Sequence, residues 1–179
     1  MKRMDSCWSC HHLFSLSKET NVANIIANII AFSPPPNKNY RILEDIKSKG
    51  RGNCYNKVNF QHSQFEDVKY PFIEQECHLL QKFSTKKKIV LLHLINTSIE
   101  EGHKLTIIFS HGNSCDLGVI YPFLLDLSLQ LKCDVVSYDY SGYGCSEGSP
   151  SEKEIYTDIE QVMDFVIHSL RRKQESIIL

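Results

Sequence analysis

A chain of 179 residues that is 42% hydrophobic and 23% charged has an ordinary globular composition and enough length to bury a core. Its net charge of −1 excludes the strong positive field of a typical nucleic-acid-binding domain, so no nucleic-acid partner is expected. Seven cysteines, an odd number, argue against a secreted disulfide framework and for reduced thiols in the cytosol. No run approaches the ~20 apolar residues of a membrane-spanning helix.

Residues 1–40 are predicted to form a membrane-attachment segment that contains an amphipathic helix. The stretch NVANIIANIIAF (21–32) places valine and isoleucine on one helical face and asparagine on the opposite face. The helix should end before the prolines at 34–36, because proline lacks a backbone donor and disfavours helix in the preceding residue. Its apolar face would either pack on the rest of the protein or lie at a membrane surface.

Residues 41–80 are polar and are predicted to form an irregular loop region, whereas residues 81–179 show regular periodicity. Strands are predicted at 88–95, 105–110, 133–138 and 176–179, and helices at 117–131 and 152–170. Ser149 is the predicted cap of the second helix, with Glu152 completing a capping box. The alternation predicts an α/β fold with a mostly parallel sheet and helices on both faces.

The sequence stops at Leu179, within the first residues of a predicted buried strand. A sheet that ended there would leave an unprotected edge. We therefore expect the chain to be an N-terminal fragment or a gene model cut short.

Two loops that follow predicted strands carry the most functional information, because ligands in open parallel sheets bind outside the carboxyl ends of the strands. The first, SHGNSCDLG (110–118), runs directly into His111-Gly112-Asn113 and could aim backbone N–H groups at the oxyanion of an acyl transfer. The second, DYSGYGCSEG (139–148), has glycines that permit tight turns and lacks the Gly-Lys-Ser/Thr of a phosphate loop. Taken singly, either loop could be an ordinary connection.

Taken together, the two loops resemble those of the alpha/beta-hydrolase fold, and more narrowly the protein depalmitoylase branch called alpha/beta hydrolase domain-containing protein 17. The resemblance is carried by FSHGNSCDLG (109–118), SYDYSGYGCSEGSPSEKEIYTDI (137–159) and SIIL (176–179), with further similarity in NFQHSQ (59–64) and IAFSPPPNKNY (30–40). Residues 41–58 and 65–104 match poorly.

The resemblance implies that the intact protein is a serine hydrolase, acting as a thioesterase that removes palmitate from S-acylated, membrane-bound proteins without a cofactor. It gives the oxyanion role to the backbone N–H of Asn113, with Gly112 and His111 shaping the loop. In this family the nucleophile elbow follows the strand that SIIL begins, so the catalytic triad is expected beyond Leu179. The 179 residues alone are then predicted to be inactive. The alternative is a non-catalytic, membrane-attached protein that retains half of the fold.

Ser146 lies in Gly-Cys-Ser-Glu-Gly, which matches the G-x-S-x-G pattern of a hydrolase nucleophile. That nucleophile sits where a strand turns straight into a helix, whereas Ser146 lies inside the loop between a predicted strand and a predicted helix. The downstream acid and base candidates, Asp158 or Asp164 and His168, share one predicted helix close behind the loop and cannot flank the hydroxyl. Ser146 is therefore predicted to be structural.

The N-terminal CWSCH (7–11) matches redox, metal and haem-attachment patterns. Haem attachment requires export, and no export signal is evident. A zinc site on Cys7, Cys10, His11 and His12 would need four ligands that lie too close in sequence to surround one ion easily. Two free cysteines at a cytosolic N-terminus favour S-acylation of Cys7 and Cys10, as the resemblance also implies. Two acyl chains would attach the protein peripherally to a membrane from the cytoplasm.

Overall fold

The computed structural model describes residues 22–23, 25–43, 55–62, 70–83, 85–100 and 104–179. The chain divides into two compact units, Met1–Ser33 and Pro34–Leu179. The boundary falls earlier than the predicted residue 40, because Tyr40 is buried in the core of the second unit. The predicted lipidation sites, Cys7 and Cys10, and the neighbouring His11 and His12 lie outside the described residues.

In the first unit, residues 22–23 and 25–31 form helix α1, and the chain leaves the helix before Pro34 as predicted. The valine and isoleucine side chains of its apolar face are 52–77% exposed. None of the helices in the described part of the chain is both long enough and apolar enough to cross a membrane.

The described residues of the second unit form a seven-stranded sheet with the strand order β1-β2-β3-β4-β6-β5-β7. The strands are β1 Tyr40–Leu43, β2 Tyr55–His62, β3 Ile73–Gln81, β4 Lys88–Asn96, β5 Thr106–Ser110, β6 Asp134–Tyr138 and β7 Ile177–Ile178. Strands β1 to β4 pair in antiparallel fashion with their sequence neighbours, and β4 is antiparallel to β6. Only β5 runs parallel to its partners, β6 and β7. The predicted α/β class is confirmed, with a mixed sheet instead of a mostly parallel one.

The prediction of an irregular loop over residues 41–80 is wrong, because β1, β2 and nearly all of β3 lie there. Strand β3 is only partly buried. In β3, only Cys77 to Leu80 are buried, and Glu74 and Gln75 are exposed. The apolar alternation that identifies a half-buried strand is therefore absent from most of β3.

Helices cover both faces of the sheet, as predicted. Helix α2 (Leu117–Leu131) packs on the face that carries Val90, Leu92 and Leu94 of β4. Helix α3 (Glu152–Asp164) and the π-helical turn Phe165–Ser169 pack on the opposite face, against Ile89 and Leu91. Alternate residues of β4 thus serve two cores, which explains its continuous apolar sequence.

The cap of α3 differs from the predicted one. Ser151, and not Ser149, accepts a hydrogen bond from the backbone N–H of Glu154. Pro150 remains in the preceding loop, where its ring packs against Gly142 so closely that a Cβ on the glycine would lie 2.7 Å from Pro150 Cδ.

Candidate functional site

The two loops singled out in the sequence begin side by side. Strands β5 and β6 are parallel neighbours, and Ser110 at the end of β5 is paired with Tyr138 at the end of β6. His111 and Asp139 therefore leave the sheet at the same edge. This is the edge at which ligands bind in open α/β sheets.

Asp139 is the fully buried centre of this edge. One carboxylate oxygen, Oδ2, accepts a hydrogen bond from the Tyr40 hydroxyl, and the other, Oδ1, accepts one of 2.9 Å from the backbone N–H of Leu117. His111 Nε2 lies 3.3 Å from Oδ1. Burial, and then the negative charge of Asp139, raise the pKa of Tyr40 well above its ordinary value, so the hydroxyl keeps its proton and donates. Asp139 thereby joins both loops to β1 and α2.

Gly144 makes the Tyr40–Asp139 contact possible. Its φ is +49°, and a Cβ at this position would lie 1.9 Å from Asp139 Oδ2 and 2.9 Å from the Tyr40 hydroxyl oxygen. No side chain fits there without displacing the hydrogen-bonded pair. The second glycine of the DYSGYG sequence is therefore required by the packing of Asp139.

A second carboxylate fixes the far end of the first loop. Asp116 caps α2 by accepting a hydrogen bond of 2.9 Å from the Val119 N–H, and it also accepts one of 2.9 Å from the Asn39 N–H. Gly118 lies directly against Asn39, since a Cβ there would be 2.6 Å from the Asn39 carbonyl carbon. The segment that enters β1 is thus attached to the start of α2.

His111 is buried and cannot face a ligand in solution. Its Nδ1 lies 2.9 Å from the Gly112 carbonyl oxygen, and its ring packs on Tyr140 and Tyr143 with centroid distances of 4.3 and 5.5 Å. These contacts join His111 to its own loop and to the second loop, and its role in shaping the first loop stays a prediction.

Gly112 and Asn113 lie at the exposed tip of the first loop. The Asn113 side-chain oxygen accepts hydrogen bonds of 2.7 Å from the Tyr143 hydroxyl and 3.1 Å from the Ser114 N–H. The next residue, Ser114, has a φ of +62°, so the chain turns sharply before α2. The oxyanion role of the Asn113 N–H stays a prediction, and the structure places this residue in an exposed loop with an anchored side chain.

Ser146 uses its hydroxyl to hold the sheet and the second loop together. The hydroxyl donates a 2.8 Å hydrogen bond to the Asp139 carbonyl and accepts one of 2.9 Å from the Val90 N–H. Both partners are backbone groups, and the side chain is buried. This environment is that of a structural serine, as its position in the loop predicts.

The acid and base candidates near Ser146 are engaged elsewhere. Asp158 is buried and accepts hydrogen bonds of 2.7 and 2.9 Å from the N–H and hydroxyl of Ser141, and it forms a 2.7 Å ion pair with Lys82. His168 is exposed and pairs with Asp164 at 2.9 Å. Neither residue is part of a triad with Ser146.

Lys82 is a residue that sequence reasoning missed. Its buried ammonium group contacts Glu154, Asp158 and the Ser141 hydroxyl. Burial by itself would lower the pKa of Lys82, but the hydrogen bonds to Asp158 and Glu154 and their charges raise it above its usual value. The lysine thus ties the end of β3 to α3 and to the second loop. No local sequence pattern predicts these contacts, because the partners of Lys82 lie 59 to 76 positions away.

An apolar groove of about 530 Å³ runs along β5. Its lining includes Ile107 and Phe109 of β5, Phe123 and Leu127 of α2, Ile159 of α3, and Leu179. Strand β7 pairs with β5 only at Thr106 and Ile107. Within the described ranges, no group of three or more histidine, cysteine, aspartate or glutamate residues is arranged to hold a metal ion.

Comparison of the sequence with known proteins finds relatives among the alpha/beta hydrolase domain-containing proteins, the family that the two loops resemble. No protein-family model matches the chain. Alpha/beta hydrolase domain-containing protein aho-3 of Caenorhabditis elegans is 50% identical over 157 residues, which are 86% of this chain and 43% of the relative. The 17B protein of Homo sapiens is 33% identical over 135 residues, 75% of this chain and 44% of the relative. The 17C protein of Xenopus tropicalis is 46% identical over 82 residues, 44% of this chain and 25% of the relative.

The chain therefore spans less than half the length of these curated relatives. The similarity to aho-3 and to the 17B protein extends over 86% and 75% of the chain's own residues. The chain is a homologue of the alpha/beta hydrolase domain-containing proteins, including proteins 17B and 17C, as the sequence resemblance predicted.

Proposed function

We propose that the intact protein is a serine hydrolase that cleaves the thioester of palmitoylated, membrane-bound proteins. The observation that carries this proposal is the His111-Gly112-Asn113 loop at the carboxyl end of β5, in which Gly112 and Asn113 are exposed, beside the loop that follows β6. The homology to alpha/beta hydrolase domain-containing proteins supports the reaction class. The thioester substrate is the narrower part of the proposal and comes from the resemblance to the protein 17 branch.

In the proposed reaction, a serine hydroxyl adds to the thioester carbonyl while a histidine takes its proton. The carbonyl oxygen becomes an oxyanion, which accepts a hydrogen bond from the Asn113 N–H. Collapse of the intermediate expels the cysteine thiolate of the substrate, which is protonated, and leaves an acyl-serine. Water then hydrolyses this ester and releases the fatty acid.

We propose that the 179 residues alone do not perform this reaction. Ser146 is bonded to backbone groups, Asp158 is paired with Lys82, and His168 is exposed beside Asp164. An oxyanion donor without a nucleophile retains only weak catalysis.

We further propose peripheral attachment to the cytoplasmic side of a membrane through acylated Cys7 and Cys10. Helix α1 supports this, because its exposed apolar face could lie in the membrane interface. A non-catalytic, membrane-attached protein with half of the fold is the second candidate. This candidate is favoured by the contacts of Ser146, Asp158 and His168, which hydrogen-bond or pair with other groups and do not form a triad with one another.

The reading frame downstream of Leu179 discriminates between the two candidates. The hydrolase proposal predicts a G-x-S-x-G sequence soon after SIIL, followed by an aspartate and then a histidine. A transcript that terminates at Leu179 in every tissue, or that continues without this pattern, would leave the non-catalytic candidate.

A further inference from the structure

Two tyrosines of the second loop donate hydrogen bonds to the first loop, one to its backbone and one to a side chain. The Tyr140 hydroxyl donates a 2.7 Å hydrogen bond to the His111 carbonyl. The Tyr143 hydroxyl donates one of 2.7 Å to the Asn113 side-chain oxygen. The two acceptors flank Gly112, so both ends of the predicted oxyanion segment are held from the same neighbouring loop.

The tyrosines are themselves well fixed. Tyr143 is 1% exposed, although Asn113, which it contacts, lies at the exposed tip of its loop. The Tyr140 and Tyr143 rings meet edge to face with centroids 5.5 Å apart, and both rings contact His111. Burial raises the pKa of Tyr140, which keeps its hydroxyl protonated as a donor. The buried Tyr143 thus fixes the side chain of an exposed residue of the first loop.

We propose that Tyr143 and Tyr140 are positioning residues that hold the Asn113 peptide in the orientation needed to receive the oxyanion. The proposal rests on the hydrolase function proposed above. Tyr143 acts through the Asn113 side chain and Tyr140 through the His111 carbonyl. Neither touches the reacting atoms. A preorganised donor is effective because it does not have to be reoriented during the reaction.

The test replaces each hydroxyl and leaves the ring. Tyr143→Phe and Asn113→Ala remove the two halves of one hydrogen bond, and Asn113→Ala keeps the backbone N–H. Tyr121→Phe is the matched control, because the buried Tyr121 also donates a short hydrogen bond, to Gln75 at 2.6 Å, but away from both loops.

The first readout is the backbone ¹⁵N order parameter of Gly112 and Asn113 in the 179-residue chain. We expect values near the rigid level of about 0.85 in the wild type and the Tyr121→Phe control, falling toward the flexible level of about 0.6 in Tyr143→Phe and Tyr140→Phe. Unchanged values in both loop variants would overturn the proposal, whatever the activity of the protein.

The second readout is thioester hydrolysis by a chain that extends past Leu179. We expect Tyr143→Phe and Asn113→Ala each to lower kcat by about 10-fold with little change in KM, less than the 10²–10³-fold loss of an entire donor. The double variant should be no slower than Asn113→Ala, because that substitution already removes the Tyr143 contact together with the hydrogen bond from the Ser114 N–H. Multiplying effects, or an unchanged kcat in an active enzyme, would overturn the proposal. Absence of hydrolysis in the wild-type longer chain would contradict the proposed function instead, and the order parameters would still decide the positioning role.

Discussion

The Tyr40 hydroxyl donates a hydrogen bond to the buried Asp139 carboxylate across 99 positions of sequence. The same hydroxyl accepts a 3.0 Å hydrogen bond from the Cys145 N–H. Strand β1, which forms one edge of the sheet, is therefore hydrogen-bonded through Tyr40 to the second loop of the candidate site.

Removing this hydroxyl should destabilise the fold. Tyr40→Phe leaves the buried Asp139 carboxylate without one of its donors, so we expect a loss of about 2 kcal/mol in the free energy of unfolding. Urea denaturation measures it. Tyr156→Phe, on the exposed face of α3, is the control and should change stability little. Equal stability of the two variants would show that the Tyr40 contact contributes nothing.

Gly144 should tolerate no side chain. In Gly144→Ala the new Cβ would overlap Asp139 Oδ2 and the residue would have a φ of +49°, so we expect a loss of at least about 2 kcal/mol. Gly112→Ala provides the comparison, because its Cβ would meet no atom within 4 Å. Thermal unfolding of both variants checks this, and a Gly144→Ala protein as stable as Gly112→Ala would contradict the account of this turn.

Ser146→Ala should weaken the fold without removing a catalytic group. The substitution leaves the Val90 N–H and the Asp139 carbonyl without their hydroxyl partner, at an expected cost of about 1–3 kcal/mol. Fluorophosphonate labelling of the folded fraction of a longer chain should be unchanged. Loss of labelling in Ser146→Ala, at equal folded concentration, would restore this serine as a nucleophile.

Asp134 should contribute a pH-dependent part of the stability. It accepts hydrogen bonds of 2.8 Å from the Asn96 N–H and 2.5 Å from Arg172 Nη2. Burial by itself would raise the pKa of Asp134, but the contact with His93, the Asn96 hydrogen bond and the charge of Lys104 lower it below 3.8. A lowered folded-state pKa stabilises the protein above about pH 4, and this stabilisation is lost as pH falls through the folded-state value.

Asp134→Asn should therefore flatten the decline of the unfolding free energy with pH below about pH 4. Urea titrations at several acidic pH values measure the slope, with the exposed Asp126→Asn on α2 as the control. An unchanged slope in Asp134→Asn would show that this carboxyl does not contribute to the acid dependence.

Membrane attachment should depend on the two N-terminal cysteines. Replacing both Cys7 and Cys10 with serine should move the protein from the membrane fraction to the cytosol, because one weakly bound helix anchors less firmly than two acyl chains. Fractionation of cells that express each variant tests this. Single substitutions should give partial release, and membrane binding that persists in the double variant would refute acylation as the anchor.

The sequence was informative where signals are local. Continuous apolar runs identified β4, β5 and β6, and helical spacing identified α2 and α3. The HGN and DYSGYG sequences located the candidate site because they follow adjacent strands. Tyr40 and Lys82 could not be predicted as parts of its support. Tyr40 contacts Asp139, which is 99 positions away, and the partners of Lys82 are 59 to 76 positions away, and no periodicity encodes such pairs.

The helix cap shows the same limit at short range. Ser149 and Ser151 are each followed three residues later by a glutamate, so both fit the capping-box pattern. In the folded chain Ser151 is the cap, and Pro150 stays in the preceding loop, where it packs against Gly142. The strands β1 to β3 were missed because their sequences contain neither a continuous apolar run nor a sustained alternation of apolar and polar residues.

Mapping of the fluorophosphonate-reactive serine in a chain that extends past Leu179 tests the central claim most directly. The hydrolase account predicts one labelled serine, located beyond Leu179 in a G-x-S-x-G sequence, and no specific labelling of the 179-residue chain. Labelling at Ser146, or a folded longer chain that does not react, would contradict it.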